Sequence, residues 1–244
     1  MFANPLPMPE NIQDHYGMPA DDYWQKEYFS LAKVKEQPYQ FTDKLGKIYP
    51  GYRSLDIGAG IGKHMLQMQD LGIDAYGIEP SKTFIKKAFE LTGIKEDRLL
   101  CTTIEDAEFA NDFFDFINLG AVLEHLPKPS VALAKTVQWL KPSGKIYIEV
   151  PHANWFVGRL INASYKVRGL DYVTNLSPQH PPYHLFEFTK KSFELNTRIN
   201  NYRILSISYF VCKTFLPPIF DYSLKSLMKK TNTGMELSVW LGKS

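Results

Sequence analysis

Two cysteines in 244 residues, Cys101 and Cys212, are too few for a disulfide framework and show no CxxC spacing for zinc. They read as reduced thiols packed in the core. No uninterrupted apolar run approaches the ~20 residues of a membrane span, and the opening MFANPLPMPENIQDHYG lacks the basic and apolar blocks of a targeting peptide. The expectation is a cytoplasmic protein with no membrane insertion. Charge of one sign is also missing: 28 Lys and Arg against 26 Asp and Glu leave a formal net charge of +2. That balance, without a basic stripe interleaved with aromatics, argues against nucleic acid as a partner. Repeats and low-complexity segments do not occur.

What is present suits an α/β domain. Forty-four per cent of residues are hydrophobic and 22% charged, and the length allows one sizeable core, so residues 1–244 are expected to form a single domain with elaborations. Residues 1–45 read as a proline-rich extension followed by a helix whose broad face carries Tyr23, Trp24, Tyr28, Phe29 and Leu31. From 51 to 151, strand-like runs (YRSLDIG, DAYGIE, RLLCTT, FDFINLG, KIYIEV) alternate with helix-like ones (KHMLQMQDL, SKTFIKKAFELT, SVALAKTVQWL), the last closed by a turn at Lys141–Gly144. Such alternation predicts a doubly wound, mostly parallel sheet with helices on both faces, binding ligands beyond the carboxyl ends of its strands. Residues 152–188 break the rhythm with an amphipathic helix, WFVGRLINASYKV, and a loop, SPQHPPYHLFEF, that together read as an insertion or lid. Residues 189–244 resume with a helix capped by Thr189, a strand YRILSISYFVC, an irregular stretch, and a final strand MELSVWLG.

The chemistry concentrates in SLDIGAGIGKHM, where Gly58, Gly60 and Gly62 occupy every second position after a strand. A phosphate-cradling GxxxxGK[ST] loop fails twice, because Ile57 stands at its first glycine and His64 follows Lys63. A dinucleotide GxGxxG counted from Gly58 meets Lys63 at its third glycine. What remains is Asp-x-Gly-x-Gly-x-Gly, with Asp56 placed to suit a ligand bearing positive charge.

This pattern resembles motif I of the class I S-adenosylmethionine (SAM) dependent methyltransferases, and the resemblance runs from about Gly51 to Pro151. It implies a Rossmann-like fold with an antiparallel last strand, and SAM as cofactor with S-adenosylhomocysteine (SAH) as product. By the same resemblance, Gly58, Gly60 and Gly62 let the backbone approach the cofactor. Glu79, followed by Pro80, matches the acid that accepts from the ribose hydroxyls, and Glu105 or Asp106 in TIEDAEF matches the border of adenine. Asn118 and Gly120 in FDFINLGAVLEHLPKP match the strand end beside the methionine portion. The last motif is that of the small-molecule branch: it reads Asn118-Leu-Gly-Ala where the base-modifying enzymes carry an acid or Asn, two prolines and an aromatic.

A small-molecule acceptor methylated at oxygen is therefore the leading expectation. Its proton has to leave, and His125 in LEHLP and His184 in QHPPYHLFEF are the candidate bases. His180 and His184 have the i, i+4 spacing of a helical metal pair, but Pro181 and Pro182 between them oppose a helix, and no metal is expected. Trp24, Tyr28, Trp155, Phe156, Tyr183 and Phe186 either pack a core or line an acceptor pocket. Two alternatives stay open: a SAM-binding or partner-binding protein without turnover, and an NAD-dependent oxidoreductase.

Overall fold

The structure is a computed structural model that describes residues 1–7, 31, 34, 41–176, 183–211 and 217–244. Tyr23, Trp24, Tyr28, Phe29, His180, Pro181, Pro182 and Cys212 lie outside the described residues.

The strands are β1 (Arg53–Ile57), β2 (Asp74–Ile78), β3 (Leu99–Leu100), β4 (Phe114–Gly120), β5 (Leu140–Pro151), β6 (Tyr202–Phe210) and β7 (Glu236–Lys243). The helices are α1 (Thr42–Leu45), α2 (Lys63–Asp70), α3 (Lys82–Thr92), α4 (Pro129–Trp139), α5 (Phe156–Val167), α6 (Lys190–Asn196) and α7 (Pro218–Thr231). One seven-stranded sheet runs β3-β2-β1-β4-β5-β7-β6, with β3, β2, β1 and β4 parallel and β5-β7-β6 antiparallel. The fold is thus the Rossmann-like, mostly parallel sheet expected.

Compact clustering of the chain separates two units. The first comprises Pro9–Gly120, Ala132–Ile146 and Gly242–Ser244. Here β1 and β4 are buried almost throughout, as expected of central parallel strands, with Ser54, Asp56, Asp115 and Asn118 among the buried positions. Leu55, Ile57, Ile61, Met65, Ile78, Phe114, Phe116 and Ile117 form the heart of its core. The order reverses at β1, flanked by β2 on one side and β4 on the other, the switch point at which open α/β sheets bind ligands. Register places Asp56 beside Asn118 and Ile57 beside Ile78. Helix α3 begins where the Ser81 hydroxyl accepts from Phe84 N–H at 3.3 Å and ends at Gly93 in the left-handed region.

The second unit comprises Met1–Met8, Ala121–Val131 and Tyr147–Leu241. Its core is built on Ile148, Val150, Leu237, Val239 and Tyr202. Thr189 and Ser192 close a reciprocal capping box at the start of α6, and Phe188 packs against Phe193 with centroids 5.8 Å apart. Phe186 stacks in turn near Phe2 and Phe188, so this ring serves packing within the unit.

Four details depart from expectation. The run RLLCTT supplies strand only at Leu99–Leu100, because Thr102 N–H turns back to the Leu100 carbonyl. Cys101, past the strand's end, is exposed rather than a core thiol. The expected turn at Lys141–Gly144 is absorbed into β5, which opens at Leu140. Its tightness remains, since a methyl on Gly144 would lie 2.7 Å from Leu140 Cδ1. Finally, the stretch before the last strand, read as irregular, contains α7, which starts at Pro218 and ends at Asn232 in the left-handed region. Its exposed Phe220, Tyr222 and Leu227 blur the amphipathic pattern that would have announced it.

Candidate active site

The loop after β1 is shaped by three backbone conformations that side chains resist. Gly58, Gly60 and Gly62 have φ of 72°, 54° and 80°, all left-handed, and this alternation explains a glycine at every second position. The N–H groups of Gly58 and Ala59 both donate to the Ile78 carbonyl, at 2.9 and 3.0 Å, tying the loop to the end of β2. One residue on, Gly60 N–H donates to Glu79 Oε2 at 2.9 Å, and Ser81 N–H donates to Glu79 Oε1 at 2.8 Å.

Glu79 is 6% exposed, and each carboxylate oxygen has accepted a single backbone hydrogen bond. Burial pushes its pKa up to about 7, opposed by the Ser81 and Gly60 hydrogen bonds and reinforced by Asp56. A carboxylate oxygen has room for a second donor. The group is therefore a buried acceptor held in position by backbone with capacity left over.

Across β1 and β4, Asn118 Nδ2 donates to Asp56 Oδ1 at 2.6 Å and lies 2.9 Å from His64 Nδ1. Asn118 Oδ1 is buried without a hydrogen-bond partner. Asp56, His64, Asn118, Met65, Met68 and Phe116 share the wall of a small cavity. The reading from sequence used His64 only to reject a phosphate loop. Its place one residue after Lys63, on the first turn of α2, was the available signal.

Other expected residues are placed as follows. Pro80 is half-buried, and its carbonyl lies 3.9 Å from Cys101 Sγ. Glu105 is exposed, and its carbonyl accepts from Lys135 at 2.8 Å. Asp106 Oδ2 accepts from the Thr103 hydroxyl at 2.9 Å, which braces the turn. Gly120 ends β4, with Asn118 Nδ2 3.7 Å from where a Cβ would sit.

In the second unit, His125 and His184 come together, ring centroids 4.7 Å apart and inclined at 70°. Glu124 N-terminal to His125 is 1% exposed, and burial raises its pKa to about 8, with Glu149 and Glu236 adding in the same direction. Tyr147 donates to Glu149 Oε2 at 2.6 Å, and burial with Glu149 nearby lifts Glu236 to about 7. The motif LEHLP thus contributes to a cluster of titratable groups, of which sequence had singled out only the histidines.

Comparison with known proteins agrees with this geometry. Residues 55–148 match the family model described as a methyltransferase domain. The ubiquinone biosynthesis O-methyltransferase of Bradyrhizobium diazoefficiens is 31% identical over 125 residues, 49% of each chain. Phosphoethanolamine N-methyltransferase 2 of Caenorhabditis elegans is 30% identical over 117 residues, 46% of this chain and 27% of that one. The chain spans half the length or less of these two relatives. Among solved structures, a SAM-dependent methyltransferase from Archaeoglobus fulgidus superposes with a TM-score of 0.59 at 17% identity, covering 89% of this chain and 97% of that one. Glycine loop, buried strand-end acid and sheet order are thus similar to those of class I SAM-dependent methyltransferase domains. That similarity covers residues 55–148 of the chain.

The residues present fit the family's cofactor. Two free acceptor positions on Glu79, the orphaned Asn118 Oδ1 and a loop bare of side chains offer what a ribose, an amino-acid portion and a close backbone approach require.

Proposed function

We propose that this chain transfers a methyl group from SAM to a small-molecule acceptor, at oxygen. The observation that carries the reading is Glu79: a buried carboxylate, fixed by Gly60 and Ser81, with one acceptor position left on each oxygen. When bound, the cofactor supplies a methyl carbon made electrophilic by its sulfonium. In this reading Glu79 accepts from the ribose hydroxyls, while Gly58, Gly60 and Gly62 leave room for backbone contact. Asp56 and Asn118 present acceptors to the ammonium-bearing portion, Pro80 and Gly120 border the pocket, and Glu105 or Asp106 accepts from the adenine amine.

The protein's contribution is chiefly positioning. Holding two reactants in line accounts for roughly 7–11 kcal/mol of barrier, against the 10²- to 10⁴-fold typical of one acid or base group. An oxygen acceptor must still lose its proton, and His125 and His184 are assigned as the groups that receive it. An O-methyltransferase among the relatives supports oxygen; an N-methyltransferase beside it makes nitrogen the alternative.

Calorimetry with SAH tests the cofactor assignment. The expected result is one site per chain and a raised melting temperature, since a ligand selective for the native state stabilises it. Folded protein that gives neither heat nor a thermal shift at millimolar SAH sinks the reading. With binding established, release of SAH in a panel of phenols, other hydroxylated compounds and amines tests the acceptor class. Turnover confined to amines overturns the oxygen assignment, and binding without turnover on any acceptor identifies a pseudoenzyme.

A further inference from the structure

We infer that Glu124, His125 and His184 form a binding site for a divalent transition-metal ion of the zinc type. One ligand atom from each residue lies within 4.8 Å of the other two, where the short helical turn Leu123–His125 meets the segment that carries His184, Leu185 and Phe186. The two segments are clamped by backbone, independent of any ion. The Glu124 carbonyl accepts from Leu185 N–H at 2.7 Å and from Phe186 N–H at 3.2 Å.

The protonation pattern suits coordination. His125 Nδ1 lies 3.1 Å from the Tyr183 carbonyl. A carbonyl only accepts, so Nδ1 carries the proton and Nε2 of the neutral ring bears the lone pair. Such an N–H to carbonyl bond is the usual outer support of a metal-binding histidine. Nε2 in turn stands 3.9 Å from Glu124 Oε1. Two atoms bound at about 2.1 Å to a tetrahedral ion are about 3.4 Å apart, so this pair has to close by about 0.5 Å.

Glu124 provides the independent observation. It is 1% exposed, and its Oε2 is buried without a hydrogen-bond partner. A buried carboxyl oxygen left unmatched costs free energy, and a cation held by this carboxyl group and the two rings, in place of its proton, offsets that cost. Two histidines and one glutamate are also a donor set found in zinc sites that leave the fourth position to water or a substrate oxygen, so the two rings could serve as proton acceptors only in the metal-free chain. The expectation of no metal rested on the His180 and His184 pair. Coordination here instead joins residues about 60 positions apart, which spacing in the sequence does not reveal.

The test uses tag-free, chelator-treated full-length chain titrated with zinc chloride alone against a chromogenic chelator, with Co²⁺ absorption as a second readout. Wild type is expected to take up one zinc per chain and to give the intense visible bands of tetrahedral Co²⁺. E124Q and H184N should each weaken zinc by about tenfold or more. Far-UV circular dichroism establishes that each variant is folded; if E124Q is not, H184N decides. A wild type that takes up no zinc, or folded variants that hold it equally well, overturns the site and leaves a plain His125–Glu124 contact. SAH binding measured on the same samples separates this result from the cofactor assignment, which stands or falls independently.

Discussion

Asn118 Nδ2 reaches Asp56 Oδ1 at 2.6 Å across neighbouring parallel strands, and the two residues are partners in the β1–β4 register. The amide supplies a hydrogen bond to one oxygen of a carboxylate that is 7% exposed, at the switch point of the sheet. Asn118→Ala leaves that carboxylate short of a donor. The expected cost is about 1–3 kcal/mol in denaturant unfolding, with weaker SAH binding in parallel. An unchanged unfolding midpoint contradicts a structural role for the pair.

Glu79 makes cofactor binding depend on pH with a definite sign. Its folded-state pKa, about 7, is raised above the ordinary 4.5, so its stabilising contribution is complete below about 4.5 and is lost as pH rises through about 7. Ribose hydroxyls donate to the ionised form. SAH affinity should therefore strengthen as pH rises toward 7 and then level off, with protons released on binding below that pH. Calorimetry in buffers of different ionisation heat reads the protons directly. Glu79→Ala should weaken SAH by roughly 1–3 kcal/mol and abolish the pH dependence; wild-type affinity in this variant would falsify the ribose assignment.

Gly60→Val tests the loop. At φ 54° a β-branched residue carries strain of roughly 1–2 kcal/mol, and its side chain enters the space reserved for close approach. SAH affinity should fall further than in Glu79→Ala while the chain still folds. If Gly60→Val binds SAH like wild type, backbone proximity at this position is not what the glycine provides.

These three residues also show what kind of information the sequence carries. Asp56, Gly60 and Glu79 were readable because each lies at the end of a strand whose apolar run and following helix are local signals. Gly93 announced the end of α3 for the same reason, and the Ser81 cap at its start is equally local. The hydrogen bond from Asn118 to Asp56 spans 62 positions and arises from strand order, which no local pattern encodes. Glu124 beside His184 is of this second kind. So is Asp115, whose carboxylate takes Lys141 Nζ at 2.8 Å and Arg53 N–H at 2.9 Å within the first unit. Helix α7 was missed for a different reason: its apolar residues are distributed over exposed as well as covered positions, so periodicity understated it.

The second unit offers a stability test that needs no ligand. Burial and then Glu149 raise Glu236 to about 7, so its contribution is present below about 4.5 and lost as pH climbs through 7. Glu236→Gln removes the charge that becomes unfavourable. The variant should melt a few degrees above wild type near pH 8 and show little difference near pH 4.5. A gain of the same size at both pH values would indicate a packing effect instead.

His125 and His184 can be told apart by kinetics once an acceptor is known. Their rings touch, so removing either changes the surroundings of the other. His184 follows the exposed Tyr183, whereas His125 sits on the turn Leu123–His125, two residues after Ala121, a non-glycine residue at φ 53°. His184→Ala is therefore expected to raise the acceptor KM or lower kcat with SAH affinity little changed, while His125→Ala disturbs both. A base lost from the reaction should be recovered in part at higher pH or with added imidazole. Loss of kcat that neither treatment restores assigns the residue to positioning. Unchanged acceptor kinetics in His184→Ala and in a combined replacement of Tyr183, Phe186 and Phe188 would move acceptor recognition away from this segment altogether.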